Sequence, residues 1–269
     1  MDDFGRIWHR ATTCELVWVD HGDRPRAVSS VPLLDDGVPC VALTYDHADL
    51  RPSLAAATAV ALAVTDSRSL PAGVDAVAAV GRASVVDDLA GERFGDDLVG
   101  QELRKYPPAR TLVDSLLLRR ENWWYLPRIL IRLDRVGEVR RLTPRRDADR
   151  DALLVRDDGG GLRLDVVSAA DWTAPVVALR ADTPLRGDGG PVLAHGHDHS
   201  IDRERWEGWD VLGTLEGDRL TARERHGHAV LDPAPPTLLQ RWRRARALER
   251  GCRRGIASGE RDGTVGRQG

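Results

Sequence analysis

The sequence predicts a mainly β, α+β protein in which two blocks of strands flank a helical insertion. Three observations predict it. Between residues 38 and 86, apolar runs alternate with Asp, Gly and Pro turn signals. After Val86 the apolar spacing lengthens from two to about 3.6 residues, the change from strand to helix. Beyond a polar stretch at residues 143–150, short apolar runs return with turn signals between them.

Taken in order, residues 1–12 read as a lead-in helix or arm. Residues 14–20 form a strand, His21-Gly22-Asp23 its turn, and residues 24–34 the second strand of a hairpin, with Pro25 and Pro32 placing it at an edge. Asp36-Gly37 is a hairpin turn, and residues 38–44 return as a strand. A short helix follows at residues 50–57, with Pro52 in its first turn, where the missing N–H costs little. Residues 59–66 are apolar almost throughout and predict a buried strand, and residues 74–86 a long one.

Residues 92–105 predict one helix with Phe94, Leu98 and Leu103 inward. Pro107-Pro108 ends it, and a second helix carries Leu112, Val113, Leu116 and Leu117. Asn122 to Arg128 is an aromatic cluster that packs barrel against helices, and residues 129–142 are a strand or hairpin bent at Gly137. The polar residues 143–150 are a linker. Strands are expected at 152–156, 162–168, 176–181, 192–195, 209–215 and 220–224, then a basic helix at 235–250.

The two strand blocks match one another. Val41-Ala42-Leu43 pairs with Val177-Ala178-Leu179, Val60-Ala61-Leu62-Ala63 with Val192-Leu193-Ala194-His195, and Gly81 with Gly213. Such an internal repeat predicts two related barrels in one chain.

Composition sets outer bounds. The 269 residues, 42% hydrophobic and 30% charged, suit a globular protein with a sizeable core. A net charge of −3 gives no general case for nucleic acid. Lys105 is the one lysine among 39 basic residues, so arginine carries nearly all cationic recognition. Cys14, Cys40 and Cys252 lack metal-ligand spacing and read as reduced thiols, which with the acidic Met1-Asp2-Asp3 start predicts a cytoplasmic location. No apolar run approaches the roughly 20 residues that cross a bilayer.

Thr44-Tyr45-Asp46-His47-Ala48-Asp49-Leu50-Arg51 joins a strand end to a helix start, a natural place for a phosphate. Thr44, Arg51 and Ser53 are candidate donors there, or else ordinary capping residues. Ser67 and Arg68, after the buried strand, can reach the same groove, although an Asp66–Arg68 pair on a turn explains them as well. His195, His197 and His199 alternate and so share one face of a strand. The sequence His-Gly-His-Asp-His-Ser reads better as a strand end fraying into a polar turn, with solvated imidazoles and no metal.

With these residues in place, the first 142 resemble the pyridoxamine 5′-phosphate oxidase-like family, the FMN-binding split barrels. The pattern is a strand pair at a turn, a strand ending in Thr44, a loop and short helix, an apolar strand, then a long strand closing with residues 81–88. Leu103-Arg104-Lys105-Tyr106-Pro107 and the helical insertion also fit. The resemblance implies a Greek-key barrel paired with a second barrel and FMN in the groove between. It assigns Arg26, Ser29 and Ser30 to the strand facing the flavin ring, with Thr44, Tyr45, Arg51, Ser53, Ser67 and Arg68 around the cofactor. Members commonly carry a cation, often lysine, just before the short helix; here the nearest is Arg51, behind Asp46 and Asp49.

The expected organisation is therefore an FMN-binding split-barrel-like domain over residues 1–142 and a second β-barrel-like domain with its basic helix over 151–250. Residues 251–269 are expected to be a disordered tail. The first functional reading is an FMN-dependent oxidoreductase acting on a small molecule, with no catalytic residue named. The second is a non-catalytic binding module of the same fold that has lost flavin, or that holds haem or another planar ligand. Neither involves nucleic acid or a membrane, and the barrels pair as an intrachain pseudo-dimer or in a homodimer.

Overall fold

The computed structural model describes residues 3–113, 123–157, 159, 161–185, 187–229 and 235–265. Helix α1 (Asp3–Arg10) leads into strands β1 (Cys14–Val19), β2 (Pro25–Ser30), β3 (Leu33–Asp35) and β4 (Val38–Thr44). The predicted second hairpin strand thus breaks in two around Val31 and Pro32. A 3-10 segment (Tyr45–Leu50) and the short helix α2 (Arg51–Ala56) precede β5 (Val60–Val64) and the long β6 (Ala76–Asp88). A π-helical turn (Phe94–Leu98), α3 (Val99–Lys105) and α4 (Arg110–Val113) form the insertion. Leu116, Leu117 and Asn122 lie outside the described residues. Strand β7 (Arg128–Leu142) runs on through Gly137 as one strand, so the hairpin alternative falls away.

The strand order is β2-β1-β5-β6-β7-β4-β3, every pair antiparallel. Alternation sends Leu16, Trp18, Val41, Leu62, Val77, Ile129 and Ile131 into one shared core, so strands from opposite ends of the sheet face each other across it. The sheet therefore curls into an open barrel. The fold is mainly β, of the split-barrel type.

The second sheet contains β8 (Asp151–Asp157), β9 (Leu162–Ser168), β10 (Val176–Ala178), β11 (Asp188–His199), β12 (Trp206–Glu216) and β13 (Arg219–His226). Its order is β9-β8-β11-β12-β13-β10, which follows β2-β1-β5-β6-β7-β4 strand for strand. The correspondence reaches single residues. Val60 pairs with Gly81 and Val192 with Gly213, and the register shifts at both glycines. A Cβ on Gly81 would lie 1.9 Å from the Arg135 carbonyl oxygen, and one on Gly213 would lie 2.0 Å from that of Thr221. Glycine is required at both bulges for the same reason.

The sheets pack face to face. Val17, Ala61, Ala63 and Ala78 on the outside of the first meet Leu153, Val155, Leu164 and Leu193 of the second. This explains why β5 is apolar throughout: Val60, Leu62 and Val64 fill the barrel core, while Ala61 and Ala63 face the other sheet.

Two expectations are corrected here. The stretch 143–150 is not a free linker, since Arg145 is buried and bridges to Asp66 between the sheets. The basic helix does not end at Arg250 in a disordered tail. Helix α5 spans Leu238–Val265, and its Cys252 and Ile256 are buried in the first core. Gly251, Gly255 and Gly259 recur on its inner face, and a Cβ on Gly255 would lie 1.9 Å from the Tyr45 carbonyl oxygen. Among the described residues no helix is long and apolar enough to cross a membrane.

Candidate functional site

The nine candidate ligand-binding residues fall into separate places. Ser29 and Ser30 on β2 and Thr44 at the end of β4 line one cleft. Tyr45 and Arg51 line another, against α5. Arg68 lies at a third, with Asp66, Arg145 and His197. Arg26 is occupied by Asp20 at 3.1 Å. Ser53 turns inward, accepting from the Trp18 indole at 3.1 Å and donating to the Leu50 carbonyl at 2.9 Å. Ser67 serves the turn after Asp66, its N–H donating to the Arg145 carbonyl.

In the loop after β4, Arg51 is not free for a flavin phosphate. Arg51 grips the Asp87 carboxylate through Nε at 2.7 Å and Nη2 at 2.5 Å. Tyr45 donates its hydroxyl to the same carboxylate at 3.2 Å, and burial followed by that negative charge raises the phenol well above its usual value. Asp46 and Asp49 add carboxylates, and α5 covers the loop through Gly251 and Gly255. A phosphate entering there meets the Asp46, Asp49 and Asp87 carboxylates and an Arg51 already paired, with Arg254 of α5 as the other cation lining the cleft.

The histidines are not at a frayed end. Strand β11 stays paired with β12 from Pro191 to His199, and His195, His197 and His199 are all buried. Gly196 permits this, because a Cβ there would strike the Trp209 indole, which lies across the strand on the opposite face. His195 Nδ1 is 2.7 Å from Asp210, His197 Nε2 is 2.8 Å from Glu15, and His199 Nδ1 is 3.0 Å from the Ser200 carbonyl. His197 therefore joins the sheets. Glu15 also accepts from Thr65 at 2.5 Å and pairs with Arg145 at 3.2 Å. Burial pushes the Glu15 carboxyl up, yet the bonds from His197, Arg145 and Thr65 hold it at about 2. Burial, then the Arg145 charge, lowers the His197 imidazole to about 4.

The cleft at Ser29, Ser30 and Thr44 gathers the most elements. It is about 220 Å³ and lies where β2, β4, the insertion, α5 and the second sheet converge. Tyr106 and Trp206 form an aromatic wall, with ring centroids 5.8 Å apart and planes at 61°. Lys105 holds this end of α3 in place by donating to the Pro32 and Trp8 carbonyls at 2.7 and 3.2 Å, and burial lowers its ammonium to about 8. Beside the wall lies Arg128, wholly buried, its guanidinium carbon 3.9 Å from the Phe94 ring centroid and 4.1 Å from that of Tyr125. Such stacking stabilises a buried cation on aromatic faces. Nη1 donates to the Pro127 carbonyl at 3.2 Å, and Nη2 stands 3.5 Å from Glu102. Tyr125 donates to that carboxylate at 2.5 Å; burial, then Glu102, keeps its phenol protonated. Arg128, Tyr106 and Trp206 were not singled out from the sequence as ligand residues. The available signal was Arg128 directly after an aromatic cluster and a Pro, which by itself reads as packing.

No family model and no curated relative matches the chain. Solved structures share parts of it. A heme binding protein from Mycobacterium smegmatis aligns at 14% identity over 95% of this chain and 98% of that one, with a TM-score of 0.34. A pyridoxamine 5′-phosphate oxidase-related, FMN binding protein from Nostoc punctiforme aligns at 14% over 67% and 95%, with a TM-score of 0.31. A protein of unknown function from Agrobacterium tumefaciens aligns at 18% over 54% of this chain, which spans 57% of that protein's length, with a TM-score of 0.34. At these identities and scores the likenesses assign this chain no ligand.

Proposed function

We propose that this chain is a non-catalytic binding module of split-barrel type, holding a planar small molecule in the cleft bounded by Ser29, Ser30, Tyr106 and Trp206. The observation that carries the reading is the cleft itself: an aromatic wall, the Ser29–Ser30 stretch of β2 and a buried arginine brought together from four parts of the chain. A few polar groups set in an apolar wall are the usual make-up of a small-molecule site. Its volume, about 220 Å³, is roughly three quarters of the 300 Å³ at which drug-sized sites begin. A single or fused ring system suits it better than a whole flavin nucleotide or a haem. The matching strand orders of the two sheets support an internal repeat, and with it an intrachain pseudo-dimer.

The alternative is the FMN-dependent oxidoreductase, in which flavin would supply the redox chemistry. Paired Arg51 speaks against it. Calorimetric titration of FMN and riboflavin separates the two. A binding module with no phosphate site binds FMN no more tightly than riboflavin. A tenfold preference for FMN, lost in Arg51→Ala, would replace this reading with the flavoenzyme. The positive test uses the neutral probe 2-naphthamide. It is expected to bind the wild type and to be excluded by Ser30→Trp, whose indole fills the cleft.

A further inference from the structure

We propose that the outer face of helix α5 binds a membrane surface rich in anionic phospholipid. Its arginines meet the headgroup phosphates, and Leu238, Leu239 and Trp242 supply the apolar contact. The net charge of −3, which gave no expectation of such a partner, is unevenly spread: residues 238–265 carry eight arginines against three carboxylates. Arg243, Arg250, Arg254 and Arg261 are exposed and pair with no carboxylate among the described residues. They stand seven, four and seven residues apart, so at helical pitch they form one straight row. That row runs about 27 Å along the helix. Cys252, Gly255 and Ile256 pack against the first barrel from the other side of α5, and the close fit of Gly255 on Tyr45 holds the row outward.

The start of the helix is fixed by a reciprocal cap. The Gln240 N–H donates to the Thr237 hydroxyl at 3.3 Å, and the Thr237 N–H donates to the Gln240 side chain at 2.8 Å. In the turns that follow, Leu238, Leu239 and Trp242 are 84%, 55% and 58% exposed, and Arg246 lies over the Trp242 ring at 5.8 Å. The flanking charges are already balanced. Arg246 and Arg253 both hold Glu249 at 3.0 Å, while Arg241 and Arg244 hold Glu204 and Glu207 at 2.6 and 2.9 Å. Glu260 beside the row, and Asp46 and Asp49 in the cleft that Arg254 lines, are the carboxylates that oppose it. A straight exposed row can bring all four guanidinium groups to a flat surface at once, and each can fork onto a phosphate. The exposed leucines and Trp242 favour lipid over nucleic acid, whose backbone offers leucine no apolar partner. Helix α5 is too polar to cross a bilayer, so it lies along the headgroups.

Flotation of the full chain with vesicles of phosphatidylcholine, with and without phosphatidylglycerol, is the test. Binding to the anionic vesicles is expected to be at least about tenfold tighter, each arginine near an anionic leaflet being worth about fivefold. Replacing Arg243→Gln and Arg250→Gln together should weaken it about tenfold or more, and Trp242→Ser about threefold or more. These side chains are exposed, so the urea midpoints of the variants should match the wild type. Equal binding to the two vesicles, or none to either, would overturn the proposal, as would binding that survives the double replacement. Binding unchanged in Trp242→Ser would remove the apolar contact and with it the case for lipid. Tighter binding to duplex DNA than to the anionic vesicles would make the row a nucleic-acid surface instead. A dimer in sedimentation velocity that the double replacement separates would show a second copy of this chain covering the face, and would overturn the membrane assignment too.

Discussion

Acid should loosen the seam between the two sheets through one residue, His197. Its imidazole is fully buried, donates to Glu15 and lies near the Arg145 guanidinium. In the unfolded chain an imidazole titrates near 6.5, whereas here burial and Arg145 hold it at about 4. The folded protein therefore refuses a proton that the unfolded chain accepts. This contribution to stability is complete above pH 6.5 and is lost as pH falls toward 4. Linkage puts the loss at about 2 kcal/mol between pH 7.5 and 5, within a total near 3 kcal/mol. Stopping at pH 5 isolates the effect, because Glu15, lowered to about 2, weakens the fold only below the ordinary carboxylate range. Urea unfolding at the two pH values is the assay. With slopes of about 1–3 kcal/mol per M, the wild-type midpoint should drop by about 0.7–2 M. His197→Gln keeps a donor for Glu15 but has nothing to titrate, so its midpoint should move much less. Equal pH dependence in the two proteins would refute the assignment.

Other consequences of the same structure are open to direct measurement. Arg145→Met leaves the Glu15 carboxylate buried without its guanidinium, and should cost about 3–5 kcal/mol in denaturant unfolding at pH 7. Gly81→Val and Gly213→Val each drive a side chain into a carbonyl across a bulge. Each should lower stability by about 1–3 kcal/mol or more, whereas Gly95→Ala, with open space around it, should change little. Gly255→Leu should lift α5 from the loop after β4 and expose Cys252. A thiol reagent would then label Cys252 before Cys14 or Cys40; unchanged protection would show that α5 is held mainly by other contacts.

Much of the architecture was legible in the sequence because its signals are local. Strand alternation, Asp-Gly and Gly-rich turns and the change of period at Val86 each depend on neighbouring residues, so β1, β4, β5 and β6 fall close to their predicted positions. The glycine pair at positions 81 and 213 was visible for the same reason: a bulge needs a missing side chain at one defined register position. What the sequence could not decide depends on which faces meet. Gly, Arg and Asp in residues 251–265 look like a solvated tail until the glycines are seen to admit the Tyr45 backbone at close range. His-Gly-His-Asp-His looks like a polar turn until Trp209 covers the glycine and Glu15, from the other sheet, receives His197. Arg51 looks available for a phosphate until Asp87, thirty-six residues on, comes within 2.7 Å of it. Arg128 joins the wall of the cleft only through folding, which packs its guanidinium against Phe94 and Tyr125. In each case the deciding partner is far away in sequence, and only tertiary packing sets whether a charged or ring group is solvated, paired or left with a donor to spare.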